Sequence, residues 1–238
     1  MKYIISSNIN YYKNTYLPLV TSLLDSKISQ EDIIMIVGGC KDININLENN
    51  LNINIIPVEY NSFDLTGLIY ISENINNFLD SNYFLLHDTC LVGPKFKELA
   101  EKLDPSIPIQ TLRNGISLNI GMYSFQTLFE NKENLCNLKY YPQNENELQQ
   151  IKQIFVIHED IIFKLYNEYC YKNNYIGTES DMIDVNILKQ RFTKDIYNNY
   201  FNTLENSEIK RQIGYSSLLD FYKFQANWQW GNGWKIGI

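Results

Sequence analysis

The sequence predicts an α/β protein: an open, mostly parallel, Rossmann-like sheet with helices on its faces, followed by a helical C-terminal elaboration. Three observations predict it. Short β-rich apolar runs alternate with helical patterns through the first hundred or so residues. One of those runs, DIIMIVGG, is continuously apolar, as a strand covered on both faces must be. Apolar residues make up 45% of the 238 and charged residues 20%, the composition of a chain that closes around a core and not of a disordered or fibrous one.

Residues 2–6 form the first β-rich run, which ends in Ser6, Ser7 and Asn8. Asn14 or Thr15 then caps a helix that carries Pro18 in its first turn, where a missing N–H costs nothing, and Leu17, Val20, Leu23 and Leu24 make its apolar face. The run DIIMIVGG, closed by Gly38 and Gly39, completes a strand–helix–strand unit. The stretch DININLENNLNINI has a strand period despite its narrow alphabet, and the third strand is placed over 53–58.

After the loop EYNSFDLTG a helix is expected over 66–77. YFLLHDTC reads as a central strand over 83–86 that stops on polar residues, and the next helix opens at Pro94 and runs to about residue 103. Beyond Pro105 the alternation fades into strands near 109–112 and 117–123 and a long helix over 145–171, striped with Ile151, Phe155, Ile162, Leu165 and Tyr169. No repeat and no Gly/Ser/Pro linker divides the chain, so it reads as one domain.

Charge and cysteine usage narrow the partners. A net charge of -7 leaves no reservoir of Lys and Arg for a phosphate backbone or an anionic bilayer, so nucleic acid is not an expected partner. Cys40, Cys90, Cys136 and Cys170 stand far apart with no C-x-x-C, which suggests reduced thiols and a cytoplasmic setting. The opening MKYIISSNINYY lacks a signal-peptide core, and no apolar run reaches membrane-spanning length, so membrane insertion is not expected.

The absent motifs narrow the chemistry as well. There is no G-x-x-x-x-G-K-S/T, no G-x-G-x-x-G after a strand, no G-x-S-x-G and no H-E-x-x-H, and two histidines exclude a multi-histidine metal centre. The strongest local signal is His87-Asp88-Thr89. An acidic residue directly after a buried strand stands at the sheet edge where ligands bind, and a carboxylate there can hold a hard divalent cation. The competing readings are a turn at Asp88 and Thr89 that caps the following helix, and a His87 fixed by a backbone bond.

The segment NSFDLTGLIYISENI through NYFLLHDTCLVGPKF resembles the nucleotide-sugar half of GT-A fold glycosyltransferases, as do YIISSN and IIMIVGG. The resemblance covers residues 1–125 and implies a nucleotide-sugar-binding half, with 126–238 as a helical acceptor-side half and tail. It implies a UDP- or GDP-sugar donor, a glycan or other hydroxyl acceptor, and Mn2+ or Mg2+. It also implies that Ser6, Ser7 and Asn8 line the nucleoside pocket, that Gly38 and Gly39 let backbone approach it, and that Asn61 and Asp64 face base, ribose or diphosphate. Asp88 would contact metal or sugar. The chain departs from the family's Asp-x-Asp pattern, so either Asp88 and His87 hold the ion together or metal dependence is weak or lost.

On the acceptor side, Glu179, Asp181 and Asp184 cluster behind Gly177, which breaks the helical pattern, and an inverting transferase needs one carboxylate as general base. Alternatively Thr178 or Ser180 caps a helix whose dipole the acids complement. Asn119 and Gly121 sit where a sugar is read or where the chain turns. His158 falls on the apolar stripe and reads as a core histidine, and Glu159 and Asp160 as a solvated face. The tail LLDFYKFQANWQWGNGWKIGI concentrates three Trp; Trp228 can stack on a sugar face, Asn227 can bond its hydroxyls and Lys223 can neutralise diphosphate, or the tail packs on the domain's back. Arg113 and Arg211 are further phosphate contacts. Beside a glycosyltransferase stand two other readings: a glycan-binding protein of the same fold without catalysis, and a sugar nucleotidyltransferase, whose Gly-rich basic loop is missing here.

Overall fold

The computed structural model describes residues 1–78, 82–114, 116–144, 146–148, 150, 175–177, 212–216 and 218–225. The chain is α/β, with a mostly parallel mixed sheet flanked by helices. Its strands are β1 (Lys2–Asn8), β2 (Ile33–Gly38), β3 (Asn54–Pro57), β4 (Tyr83–His87), β6 (Ile109–Asn114), β7 (Ile116–Tyr123) and β8 (Tyr175–Gly177), in the order β3-β2-β1-β4-β7-β6-β8. The first four are mutually parallel, β7 runs against both neighbours, and β8 runs parallel to β6. β1, β2, β4, β6 and β8 therefore all end at one edge.

The two sheet faces are built from alternate residues, as a period of two requires. Tyr3, Ile5, Met35, Val37, Phe84, Leu86 and Met122 face one core with helix α1 (Tyr12–Asp25). Ile4, Ile34, Ile36, Tyr83, Leu85 and Tyr123 face the other with helix α2 (Thr66–Glu73), backed by α4 (Phe125–Glu130) and α5 (Lys132–Cys136). All six residues of β2 are buried, which explains its unbroken apolar run.

Several boundaries differ from expectation, each for a physical reason. α1 starts upstream of Asn14 because Tyr12 and Tyr16 belong to the core. Thr15 caps nothing; its hydroxyl donates back to the Tyr11 and Tyr12 carbonyls, and Pro18 falls inside the helix. The buried face is Tyr12, Tyr16, Leu19, Val20 and Leu23, while Leu17 is exposed. The ININ alternation at 43–46 is loop, with Ile43 and Ile45 exposed. Tyrosine hydroxyls take up that loop's backbone amides: Glu48 N–H donates to Tyr12 Oη and Leu51 N–H to Tyr16 Oη.

α2 ends at Glu73, and a short 3-10 turn at Ile75–Asn77 continues its path. Pro94 precedes rather than opens the next helix, α3 (Phe96–Ala100), because Asp220 occupies the approach. Gly93 N–H donates to the Asp220 carbonyl at 2.7 Å and Lys95 N–H to its carboxylate at 3.1 Å. Asp220 lies in the turn just before β10 (Phe221–Gln225), which in a second, three-stranded sheet pairs with β5 (Cys90–Val92) and with β9 (Gln212–Ser216). Leu219 and Phe221 join the core beneath α1, so the end of the described chain packs against its beginning. Of the long helix expected over 145–171, residues 151–171 lie outside the described residues.

Candidate functional site

The sheet reverses its order at β1. The chain leaves β1 through α1 on one face toward β2, and reaches β4, on β1's other side, through α2 on the opposite face. In open α/β sheets such a reversal splays the flanking segments at the carboxyl ends and opens the crevice where ligands bind. Ser6 pairs in register with His87 at this point, so the polar ends of both strands meet.

Ser6 does scaffolding work there. Its hydroxyl donates to the Asp64 carbonyl at 2.8 Å and accepts from Gly67 N–H at 2.9 Å, tying the 3-10 turn Phe63–Leu65 and the start of α2 to β1. The contact is close enough to require glycine: a Cβ on Gly67 would stand 2.7 Å from Ser6 Oγ and 2.8 Å from Ile4 Cγ2. Gly67→Ala is expected to cost about 1–3 kcal/mol by overpacking this seam, read as a lower denaturant midpoint.

Ser7 holds Asp88. Its hydroxyl donates to Asp88 Oδ2 at 2.8 Å, and Asp88 N–H donates to the Ser6 carbonyl at 3.1 Å. Asp88 is only 8% exposed. Burial pushes its carboxyl up to about 6, although the Ser7 bond and the Lys223 ammonium oppose the rise. Thr89 receives a hydrogen bond from Lys223 Nζ. That lysine arrives from β10, opposite Cys90 in register, so the C-terminal hairpin carries a cation to the end of β4.

His87 lies under this cluster at 1% exposure. Its Nδ1 is 3.3 Å from Asp64 Oδ1, whose side chain is 48% exposed, and among the described residues neither ring nitrogen has a hydrogen-bond partner. Burial drives the imidazole down to about 3, with Asp64 opposing and Lys223 reinforcing the shift, so the ring is neutral near pH 7. Unfolded His87 binds a proton below about 6.5 that the folded ring refuses until about 3, so stability falls as pH drops through that interval. Asp88, raised from 3.8 to about 6, acts in the opposite sense over a narrower interval. His87→Leu is therefore expected to remove much of the acid lability, seen as a smaller drop in urea midpoint between about pH 7 and about pH 4.5 than the unmutated protein shows.

The remaining expected residues fall into three groups. Asn8, Asn61 and the two glycines shape the edge itself. Asn8 Oδ1 accepts from Asn10 N–H at 3.1 Å, and Asn61, 4% exposed, accepts from Phe63 N–H at 3.3 Å while its own N–H donates to the Tyr140 carbonyl at 2.8 Å. A Cβ on Gly38 would lie 2.7 Å from the Tyr60 carbonyl oxygen, so the close backbone approach it permits is to the chain leaving β3. Gly39, at φ +78, donates to that same carbonyl at 3.0 Å.

The second group lies further along the sheet. Gly121 is a mid-strand residue and not a turn, pairing with Leu85 on one side and Thr111 on the other. Asn119 is a β7 position and Arg113 a β6 position, paired with Gly177. Gly177, read from sequence as a helix breaker, instead ends β8 at the shared carboxyl edge. The third group, Glu179, Asp181, Asp184, His158, Glu159, Asp160, Arg211, Asn227 and Trp228, lies outside the described residues.

Sequence reasoning did not find the Ser7–Asp88 bond or the meeting of Lys223 with Thr89. Their partners are 81 and 134 residues apart, and no local pattern marks either pair. Among the described residues, no three His, Cys, Asp or Glu side chains gather as a metal cage, and no helix is long and apolar enough to cross a membrane. No family model matches the chain, and no curated protein is significantly similar to it.

Proposed function

We propose that this chain is a GT-A-type glycosyltransferase that moves a sugar from a UDP- or GDP-sugar to a hydroxyl of a glycan or other acceptor. The observation that carries the proposal is the placement of Asp88, at the carboxyl end of β4, beside β1 where the sheet order reverses. An oxygen of the acceptor forms a bond to the anomeric carbon, the bond from that carbon to the diphosphate breaks, and the nucleoside diphosphate leaves. A carboxylate takes the acceptor proton. Glu179 and Asp181 are the proposed bases, following β8 in sequence just after it reaches the shared edge. Asp88, ionised above about pH 6, would bind the donor sugar and stabilise positive charge as the anomeric bond breaks.

A divalent ion here would fall to Asp88 and His87. The donor set suits it poorly: Asp88 Oδ2 is held by Ser7, His87 offers nitrogen where Mg2+ and Mn2+ prefer oxygen, and the Lys223 ammonium stands on the adjacent Thr89. No step of the proposed reaction depends on a metal.

The burial of Asp88 favours a second reading, a nucleotide-sugar- or glycan-binding protein of the same fold that performs no transfer. Nucleoside diphosphate release across a panel of UDP- and GDP-sugars, with and without acceptor glycans, separates the two. Acceptor-dependent release supports the transferase; a ligand-induced rise in melting temperature without release supports the binding protein. Neither response anywhere in the panel would overturn both.

A further inference from the structure

We infer that Asn49 stands in for a neighbouring strand at the outer edge of the large sheet and so keeps a second copy of this chain from pairing there. The inference is independent of the transferase reading. Among the described residues β3 is the terminal strand on its side of the sheet, and its pairing with β2 fixes which backbone groups point away. Val58 N–H donates to the Val37 carbonyl at 2.9 Å, so by the alternation of a parallel ladder Asn54 and Ile56 also bond to β2. Ile53, Ile55 and Pro57 therefore turn their backbone groups outward.

Asn49 takes up both groups of Ile53. Its Oδ1 accepts from Ile53 N–H at 3.1 Å and its Nδ2 donates to the Ile53 carbonyl at 2.7 Å, the pair of bonds that a further strand would make. Tyr16 fixes the orientation of that amide: Leu51 N–H donates to Tyr16 Oη at 2.7 Å, which leaves the hydroxyl proton for Asn49 Oδ1 at 3.1 Å. Pro57 has no N–H to offer, so Ile55 carries the remaining outward donor of β3.

The composition of the segment shows why the edge needs closing. Residues 50–56, NLNINII, are uncharged, rich in Ile and free of Pro, the character of strands that pair with their own copies. Edge strands are commonly protected by a charge, and here the flanking charges, Glu48 and Glu59, fall outside the strand. A second copy is the partner this edge would take, because identical uncharged strands match in length and pattern with no repulsion between them. The second sheet shows the same kind of closure. Gly93 N–H bonds across to Asp220, so Val92 turns outward, and its N–H donates to Ser22 Oγ of α1 at 3.2 Å.

Asn49→Ala and Asn49→Ser remove the carboxamide and test the inference. Sedimentation velocity and residue-level hydrogen exchange are compared for both variants and the unmutated protein at about 5 µM and about 300 µM. Exchange at Ile55 in the unmutated protein should be the same at both concentrations. In the variants the weight-average mass should rise on concentration by about half or more beyond any rise in the unmutated protein, with exchange at Ile55 slowed about tenfold in step. A rise in mass without slowing at Ile55 would overturn the inference, since association would then use another surface. Variants that associate no more than the unmutated protein would do the same, as would slowing at Ile55 in the unmutated protein itself. Loss of the cooperative melting transition in both variants would also overturn it, by making Asn49 a requirement of the fold and not a guard of its edge.

Discussion

On the proposed transferase reading, Asp88→Asn is expected to lower sugar-transfer turnover by about a hundredfold or more while the protein stays folded. The substitution keeps the shape of the side chain, and Asn Oδ1 can still accept the Ser7 hydroxyl that holds Asp88 Oδ2 at 2.8 Å. Only the charge is lost. That charge is costly in the resting fold: burial raises the carboxyl from 3.8 to about 6, so the folded chain holds a proton that the unfolded chain releases. Stability contributed by the protonated group is complete below about 3.8 and is lost as pH rises through about 6.

An uncharged amide at this position escapes that loss. Denaturant midpoints of the Asn variant at about pH 8 should equal or exceed those of the unmutated protein, and the difference should shrink near pH 4. Reduced turnover together with undiminished stability is the signature of a carboxylate kept for function. Unchanged transfer in a well-folded Asn variant would show that the charge has no part in the reaction.

Gly121→Ala is expected to be among the most damaging single substitutions in the fold, costing about 3 kcal/mol or more. Gly121 lies at φ +152 in the middle of β7, hydrogen-bonded between β4 and β6 beside the register shift at Thr111 and Arg113. A Cβ would stand 2.1 Å from the Gln110 carbonyl oxygen and 2.6 Å from Thr111 Cα. Both are backbone atoms of a paired strand, so no side-chain rotation relieves the clash. In a chain of this length the melting temperature should fall by about 6–12 °C. A drop below about 2 °C would mean that the strand pair opens here more easily than its pairing implies.

The layout of the first hundred residues was legible because burial writes itself into sequence. β2 lies between two cores and is apolar throughout, and β4 is apolar until it reaches the edge, where His87 and Asp88 begin. The place where the strands end followed from those endings together with the strand–helix alternation. Boundaries were less legible where tyrosines do structural work. Tyr12 and Tyr16 bury their rings and take up loop amides through their hydroxyls, which moves the helix start and turns an alternating Ile/Asn stretch into a pinned loop. β8 was hidden because three residues are too few to show a period, and they become a strand only through β6.

The site was half legible. Asp88 was visible as the acidic residue directly after an apolar strand, whereas Asp64 entered only through the resemblance. The assignments of Ser6 and Gly38 to a ligand pocket drew on resemblance, whereas their observed contacts run to α2 and to Tyr60. What joins Ser7 to Asp88 and Lys223 to Thr89 is tertiary structure, and no local spacing encodes a bond across 134 residues. Lys223 stood out only as a cation in an aromatic tail, and its partner became evident once β10 was seen to pair with β5.

The most direct test of the proposed site is a crystal structure of the protein grown with uridine or guanosine diphosphate, whichever binds in solution. The account predicts the diphosphate at the carboxyl ends of β1 and β4, with a phosphate oxygen within hydrogen-bonding distance of Lys223 Nζ and the terminal phosphate directed toward Asp88. A nucleotide bound elsewhere on the sheet, with Asp88 and Lys223 left untouched, would contradict it.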